Sequence, residues 1–314
     1  MTSALTTFQQ WLLFSGATLI VGCVAWRIQV LPGALRALGG GDVSTIQRTE
    51  RRVLSIARTS AGLLIVAWLL RLVVQVMGFR DPFVPLSEDV AFLLFEIFWG
   101  TVWMAQGAVI LLLVGALWLA GGRRGSTDDD VRAAASAIGV PWGAVALLVA
   151  GLALTIALSG HAVGADSAVA LVVTADSLHT LAAGAWIGTL AVILLAARGT
   201  AGSDPRFFAA QISRFSPMAL VSGGGLVGMG VVLGWAHLTA VSDLWTEPYG
   251  RILSAKVALV LVVFGLGFLN WKRGLPVADS VEGAAGVRRR AATEVGFAVA
   301  VLLLTAVLVH APKP

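Results

Sequence analysis

Long apolar stretches separated by short polar connections dominate this chain. A helix needs about 20 predominantly apolar residues to cross a bilayer. Eight segments meet this condition, at about residues 8–30, 53–78, 90–120, 134–158, 168–197, 213–238, 250–271 and 291–311. The first lacks a basic leader and a small-residue cleavage motif, so we expect a span rather than a secretory signal. The pattern predicts an all-α, polytopic membrane helix bundle of about eight transmembrane helices.

Composition supports a lipid environment. Of the 314 residues, 58% are hydrophobic and only 12% are charged, against about 25% charged in a soluble domain. The net charge of +5 comes mainly from basic residues in short loops, so we expect the lipid bilayer and no nucleic acid as the partner. The single Cys23 excludes an internal disulfide framework. We interpret residues 1–314 as one transmembrane domain.

The charges of the loops predict which side of the membrane each faces. Basic residues are concentrated in four alternate connections, 31–52, 121–133, 198–212 and 272–290. Basic loops stay in the cytoplasm. Both termini are therefore predicted to lie outside, on the side of the membrane opposite to the cytoplasm. The Gly/Ala-rich loop 272–290 is interpreted as a flexible linker.

This topology sorts all four histidines to the outer half of the membrane. His161, His237 and His310 close the fourth, sixth and eighth spans at the outer surface. His179 lies about 11 residues into the fifth span, roughly 16 Å deep. Asp176 precedes His179 by three residues and shares its helical face. Four imidazoles in one leaflet favour a site.

Ionisable residues inside the spans normally face a bundle interior or a watery cavity. Lys256 lies at a depth comparable to that of Asp176, so the two are expected to approach each other. Arg71 and Glu96 also lie at equal depth on sequential spans. They are predicted to form a structural ion pair.

Imidazole is the commonest protein ligand of metals and suits copper, zinc, iron and nickel. The predicted metal ligands are His161, Asp176, His179 and His237, and further candidates are Met229, Lys256 and His310. Lys256 would offset the charge of the Asp176 carboxylate or gate the path of the metal ion. A b-type haem, held by one or two axial histidines, is the rival cofactor. The sequence contains no nucleotide-binding glycine loop, nucleophile elbow or HExxH motif, so an enzyme is not expected.

The motifs also resemble a known family. The stretch from Ala175 to Gly188, ADSLHTLAAGAWIG, is similar to the signature helix of the bacterial copper-resistance D proteins (CopD). Similarity continues in GWAHL at Gly234 to Leu238 and in YGRILSAK at Tyr249 to Lys256, and then at Asn270, Pro276 and Arg288 to Glu294. It covers about residues 155–312, whereas residues 1–130 share mainly hydropathy.

The resemblance implies an inner-membrane protein that accepts copper at its periplasmic face, with a separate periplasmic copper carrier as a partner. Copper uptake or delivery is therefore the first functional hypothesis. A haem-binding or redox membrane subunit is the second. A structural or assembly subunit of a larger membrane complex is the third, in which the histidines serve packing.

Overall fold

The computed structural model describes residues 2–121, 127–160, 168–198 and 204–312, and all regular structure in these ranges is helical. Three π-helical turns occur in them, at Trp26–Val30, Gly184–Gly188 and Asn270–Gly274. The α-helices in the described ranges are α1 (Thr2–Ala25), α2 (Leu31–Leu38), α3 (Val43–Phe79), α4 (Leu86–Phe95), α5 (Phe98–Gly121), α6 (Asp128–Ser136), α7 (Val140–Leu158), α8 (Val169–Ala183), α9 (Thr189–Ala196), α10 (Pro205–His237), α11 (Asp243–Thr246), α12 (Pro248–Leu269) and α13 (Val281–Leu308).

Within the described residues, eight helical stretches are long and apolar enough to cross a bilayer, and this confirms the predicted all-α polytopic bundle. They are Ala4–Leu38, Val43–Phe79, Phe98–Gly121, Asp128–Leu158, Val169–Ala196, Pro205–His237, Pro248–Val277 and Val281–Leu308. The first, fifth and seventh each contain one of the π turns.

Two predicted boundaries differ from the structure. The third apolar run is not one continuous helix, because α4 ends at Phe95 and the span begins with α5 at Phe98. Gly100 allows this break, since a Cβ atom there would collide with the backbone of Leu93 and Leu94. The α4–α5 turn is therefore too tight for a larger residue.

The second difference concerns loop 272–290, which is not a flexible linker. A π turn and a short 3-10 turn, Leu275–Val277, lead into α13, which begins at Val281. The hydroxyl of Ser280 caps this helix by accepting a hydrogen bond of 3.0 Å from the Gly283 N–H. Glu282 lies in the first turn, where a negative charge complements the helix dipole.

The core is centred on α1, which packs against α3, α7, α9, α13 and the π turn Gly184–Gly188. A Cβ atom at Gly22 would collide with the backbone of Gly188, and one at Gly184 would collide with Val21. Small residues allow helix backbones in lipid to approach this closely. The Gly184–Gly188 spacing in the sequence therefore marks a helix crossing.

Candidate functional site

Helix α8 carries the two central polar residues of the predicted site. Asp176 and His179 are three residues apart, so they project from the same face of α8. Both side chains are half-buried in the described structure. The π turn that follows α8 packs on α1 and fixes this helix against the core.

His179 faces helix α10. A Cβ atom at Gly230 would lie 3.6 Å from the imidazole Cε1 and 3.9 Å from Nδ1, so the ring occupies space beside a residue without a side chain. The backbone of Leu226 on α10 also forms a hydrogen bond with the imidazole. Nδ1 is buried and has no hydrogen-bond partner in the described part of the chain. A buried nitrogen of this kind needs an explanation, because nearly all buried polar groups are paired.

Lys256 of α12 brings a cation to the same place. Its charge interacts with Asp176 and with His179. No salt bridge joins Asp176 to Lys256 among the described side chains. The predicted approach of these two residues is thus present as an electrostatic interaction at longer range.

Tyr249, which was not among the residues predicted for the site, links His237 to this group. Its ring lies edge-on to the His237 ring, with centroids 6.2 Å apart, and its hydroxyl interacts electrostatically with Asp176. The side chain is buried against Leu308 and Ala311 at the end of α13. The one signal that could have identified it is its rarity, since it is the single tyrosine of the chain.

Asp243 shapes the connection between His237 and Tyr249. One of its carboxylate oxygens accepts hydrogen bonds from the N–H groups of Ala240 and Thr239, at 2.8 and 2.9 Å, and from the Thr239 hydroxyl at 2.8 Å. These hydrogen bonds, that of Ala240 first, hold the pKa of Asp243 below its usual range. The Asp243 carboxylate therefore fixes the turn that carries the chain from α10 to α12.

The other candidate ligands occupy different settings. His161 lies outside the described residues. Met229 is half-buried on α10 beside Gly230, and His310 is exposed just beyond the end of α13. The described ranges hold no group of three or more His, Cys, Asp or Glu side chains that could hold a metal ion. Electrostatic interactions and the Tyr249 ring instead provide a loose connection among Asp176, His179, His237 and Lys256.

Arg71 and Glu96 do not form the predicted ion pair. The Arg71 guanidinium donates hydrogen bonds of 2.7 and 2.8 Å to the hydroxyl and carbonyl oxygens of Ser159, and it lies 5.9 Å from the Trp99 ring centroid. Glu96 is exposed at the end of α4. The carbonyl end of α7 takes the place of the carboxylate, because that end of a helix carries partial negative charge.

In chemical terms, the group offers an imidazole nitrogen, a carboxylate, a phenol and an ammonium within a largely apolar bundle. Imidazole and carboxylate are both metal ligands, and a carboxylate beside an imidazole also fixes its tautomer. The Lys256 ammonium adds a positive charge, and this charge would repel a bound cation. The arrangement suits reversible binding of a cation better than permanent retention.

Comparison with known proteins is consistent with this chemistry. Residues 209–308, from α10 to α13, match the family described as Copper resistance protein D. Over 311 residues the chain is 26% identical to the Copper transport protein CutJ of Bacillus subtilis (strain 168). This similarity covers 96% of the chain and 52% of that protein, so the chain spans about half the length of its relative. No solved structure matches.

The two comparisons confirm the predicted likeness to the copper-resistance D family and support a copper-related function in a membrane. The family match contains Met229, His237 and Lys256, whereas Asp176 and His179 precede it.

Proposed function

We propose that this protein, which resembles the copper-resistance D family, binds copper in the outer half of its bundle and mediates copper uptake or delivery. The proposal depends chiefly on one observation, the buried Nδ1 of His179, which has no hydrogen-bond partner among the described residues. Leaving a buried polar group unpaired costs about 1–3 kcal/mol. A copper ion bound to the imidazole lone pair would provide the missing partner.

The proposed ligands act in two steps. Copper first meets His161 and His237 near the periplasmic surface, and it then passes to His179 and Asp176 inside the bundle. Tyr249 connects His237 to Asp176, since its ring packs against the His237 ring and its hydroxyl interacts with the carboxylate. Met229 of α10 is a further candidate ligand, because a thioether suits Cu(I).

Lys256 has an opposing electrostatic role in this proposal. Its ammonium balances the Asp176 carboxylate when no cation is present. A copper ion at His179 and Asp176 would be repelled by the same ammonium, so binding is weakened and release is favoured. Lys256 therefore sets how readily copper leaves the inner pair. It is an electrostatic gate in this scheme and not a ligand.

The direction of entry follows from the basic loops. We propose that the four basic connections are cytoplasmic and that both termini and the turn at Asp243 are periplasmic, in a bacterial inner membrane. Labelling with an impermeant maleimide tests this arrangement. In a Cys23→Ala background, Ser242→Cys should react in intact spheroplasts and Arg273→Cys only after lysis. Reaction of both residues before lysis would refute the topology.

Copper binding to the purified chain in lipid is the central test. We expect bound copper by elemental analysis, and His179→Ala should lower copper affinity by at least about 100-fold, since loss of an outer-shell partner alone costs about 10- to 100-fold. Thr174→Ala is the matched control, because Thr174 is exposed on the same helix. Its hydroxyl donates a hydrogen bond of 2.7 Å to the Ala170 carbonyl of that helix. Unchanged affinity in His179→Ala would remove the proposed inner site.

The same preparation separates the two rival hypotheses. A Soret absorption band in the purified chain would favour a haem-binding or redox subunit. Stoichiometric partner chains without any metal would favour an assembly subunit. A separate periplasmic copper carrier, which is part of the proposal, should accelerate copper binding when it is added in its loaded form.

A further inference from the structure

Glu294, on α13, is a buried carboxylic acid that the copper proposal does not use. Its residue surface is only 2% exposed. No salt bridge reaches it among the described basic side chains. Intramembrane acids are rare, because burying the charged form without a partner is costly, and such acids commonly take part in proton relays.

The surroundings of Glu294 provide both space and a polar connection. A Cβ atom at Gly267 of α12 would lie 3.2 Å from Oε1, so the glycine leaves room for the carboxyl group. Asn270 donates a hydrogen bond of 3.2 Å from Nδ2 to Oε2 of Glu294. The Asn270 Oδ1 in turn accepts a hydrogen bond of 2.9 Å from Nε of Arg290, which is exposed. A continuous polar chain thus joins the buried acid to the surface.

The backbone at Asn270 is also unusual. This residue begins the π turn Asn270–Gly274, which interrupts the α-helical pattern at the end of α12. Single π turns inside helices occur frequently at functional sites. Here the turn sets the position of Asn270, the residue that touches the carboxyl group.

We infer that Glu294 of α13 is a proton-binding site beside the C-terminal end of α12, far from Lys256. Asn270 and Arg290 connect this site to water. Gly267 follows Lys256 by 11 residues, which places the carboxyl about 16 Å further along the helix. The carboxylate takes a proton from water at the Arg290 end and returns it there. Proton binding is independent of the copper proposal. Its coupling to copper movement rests on that proposal.

Other charged groups near this end point outwards. Helix α9 has no charged residue, and Cys23, the one titratable side chain of α1, contacts the Val53 carbonyl. The basic side chains of α10 and of the π turn near this end are exposed, namely Arg206, Arg214, Lys272 and Arg273. Glu294 therefore has one basic residue in its hydrogen-bonded chain, Arg290, and reaches it through an amide.

Infrared spectroscopy of the full chain in lipid tests the inference. At pH above roughly 6, where an exposed glutamate is ionised, the wild-type protein should show a protonated carboxyl C=O band that titrates away as pH rises. Glu294→Gln should lack this band and still accept the hydrogen bond from Asn270. Glu294→Asp keeps a carboxyl and should shift the band, which guards against a folding defect in the first variant.

Glu282→Gln is the matched control, because Glu282 lies on the same helix and is exposed. It should leave the band intact. The inference is overturned if the wild-type and Glu294→Gln spectra are identical at every pH. Coupling is measured separately as the change in this band on adding copper. A titrating band that ignores copper would leave the proton site standing and remove the coupling.

Discussion

The core around α1 and the two helices α10 and α12 are built in opposite ways. More than half of the most apolar window of the first span is buried (56%), whereas only 6% is buried in the sixth and seventh spans, which contain α10 and α12. Backbone contacts at Gly22 and Gly188 lock the core. The outer helices instead carry His237 and Lys256 and border His179 through Gly230.

This difference separates the densely packed scaffold from the helices that carry most of the proposed copper site. Dense packing makes the core intolerant of added volume. Exposed helix faces with few internal contacts can shift without breaking a core. We expect substitutions near α1 to change folding and substitutions around α8, α10 and α12 to change binding.

The largest effect is expected from Gly22→Val. A side chain at Gly22 would collide with the Gly188 backbone, which cannot move aside cheaply. We expect destabilisation of at least about 3 kcal/mol, and so little folded monomer by size exclusion in detergent. Gly224→Ala on α10 is the control, since no atom lies within 4 Å of its Cβ position. Equal yields of the two variants would break the contrast between core and periphery.

Tyr249→Ala should have the next largest effect, because Tyr249 is a packed residue within the outer region. Loss of its ring removes contacts with Leu308, Ala311 and His237. We expect a cost of about 3 kcal/mol in unfolding free energy. Tyr249→Phe keeps the ring and should retain most of that stability in thermal melts. A Phe variant as unstable as the Ala variant would assign the stability to the hydroxyl instead.

Asp176→Asn should affect binding rather than folding. The amide keeps the size of the side chain but removes the charge that interacts with Lys256. Copper affinity should fall by about 10- to 100-fold, with an unchanged melting temperature. Thr174→Ala again serves as the control, because Thr174 is an exposed residue of the same helix. A large drop in melting temperature without any loss of affinity would make Asp176 a structural residue.

A smaller effect is expected from pH at Asp243. Its pKa is lowered in the folded state by hydrogen bonds from Ala240 and Thr239. The carboxylate therefore contributes stability above its unfolded pKa of about 3.9, and this contribution is lost as pH falls through the lower folded pKa. The gap in melting temperature between wild type and Asp243→Asn should narrow on acidification. A gap that widens towards low pH would contradict the direction of the shift.

Most of the fold was predictable from the sequence. The eight apolar segments correspond to eight helices of the described residues that are long enough to cross a bilayer, because the hydrocarbon core imposes a minimum length on every crossing helix. The approach of Lys256 to Asp176 also followed, since depth along a helix depends only on residue number. The α13 start was missed because its first ten residues include four charges, Glu282 and Arg288 to Arg290, and hydropathy does not detect a helix that extends out of the lipid.

The sequence by itself determined the number of long apolar helices, the family likeness and the spacing of polar residues along each helix, because these depend on local composition and helical rise. Only the tertiary structure decided which side chains meet. Arg71 lies at the depth of Glu96 but bonds Ser159, and Tyr249 joins His237 to Asp176. Equal depth leaves open which helices are neighbours and which faces they turn to each other, and those are fixed by packing across the whole bundle.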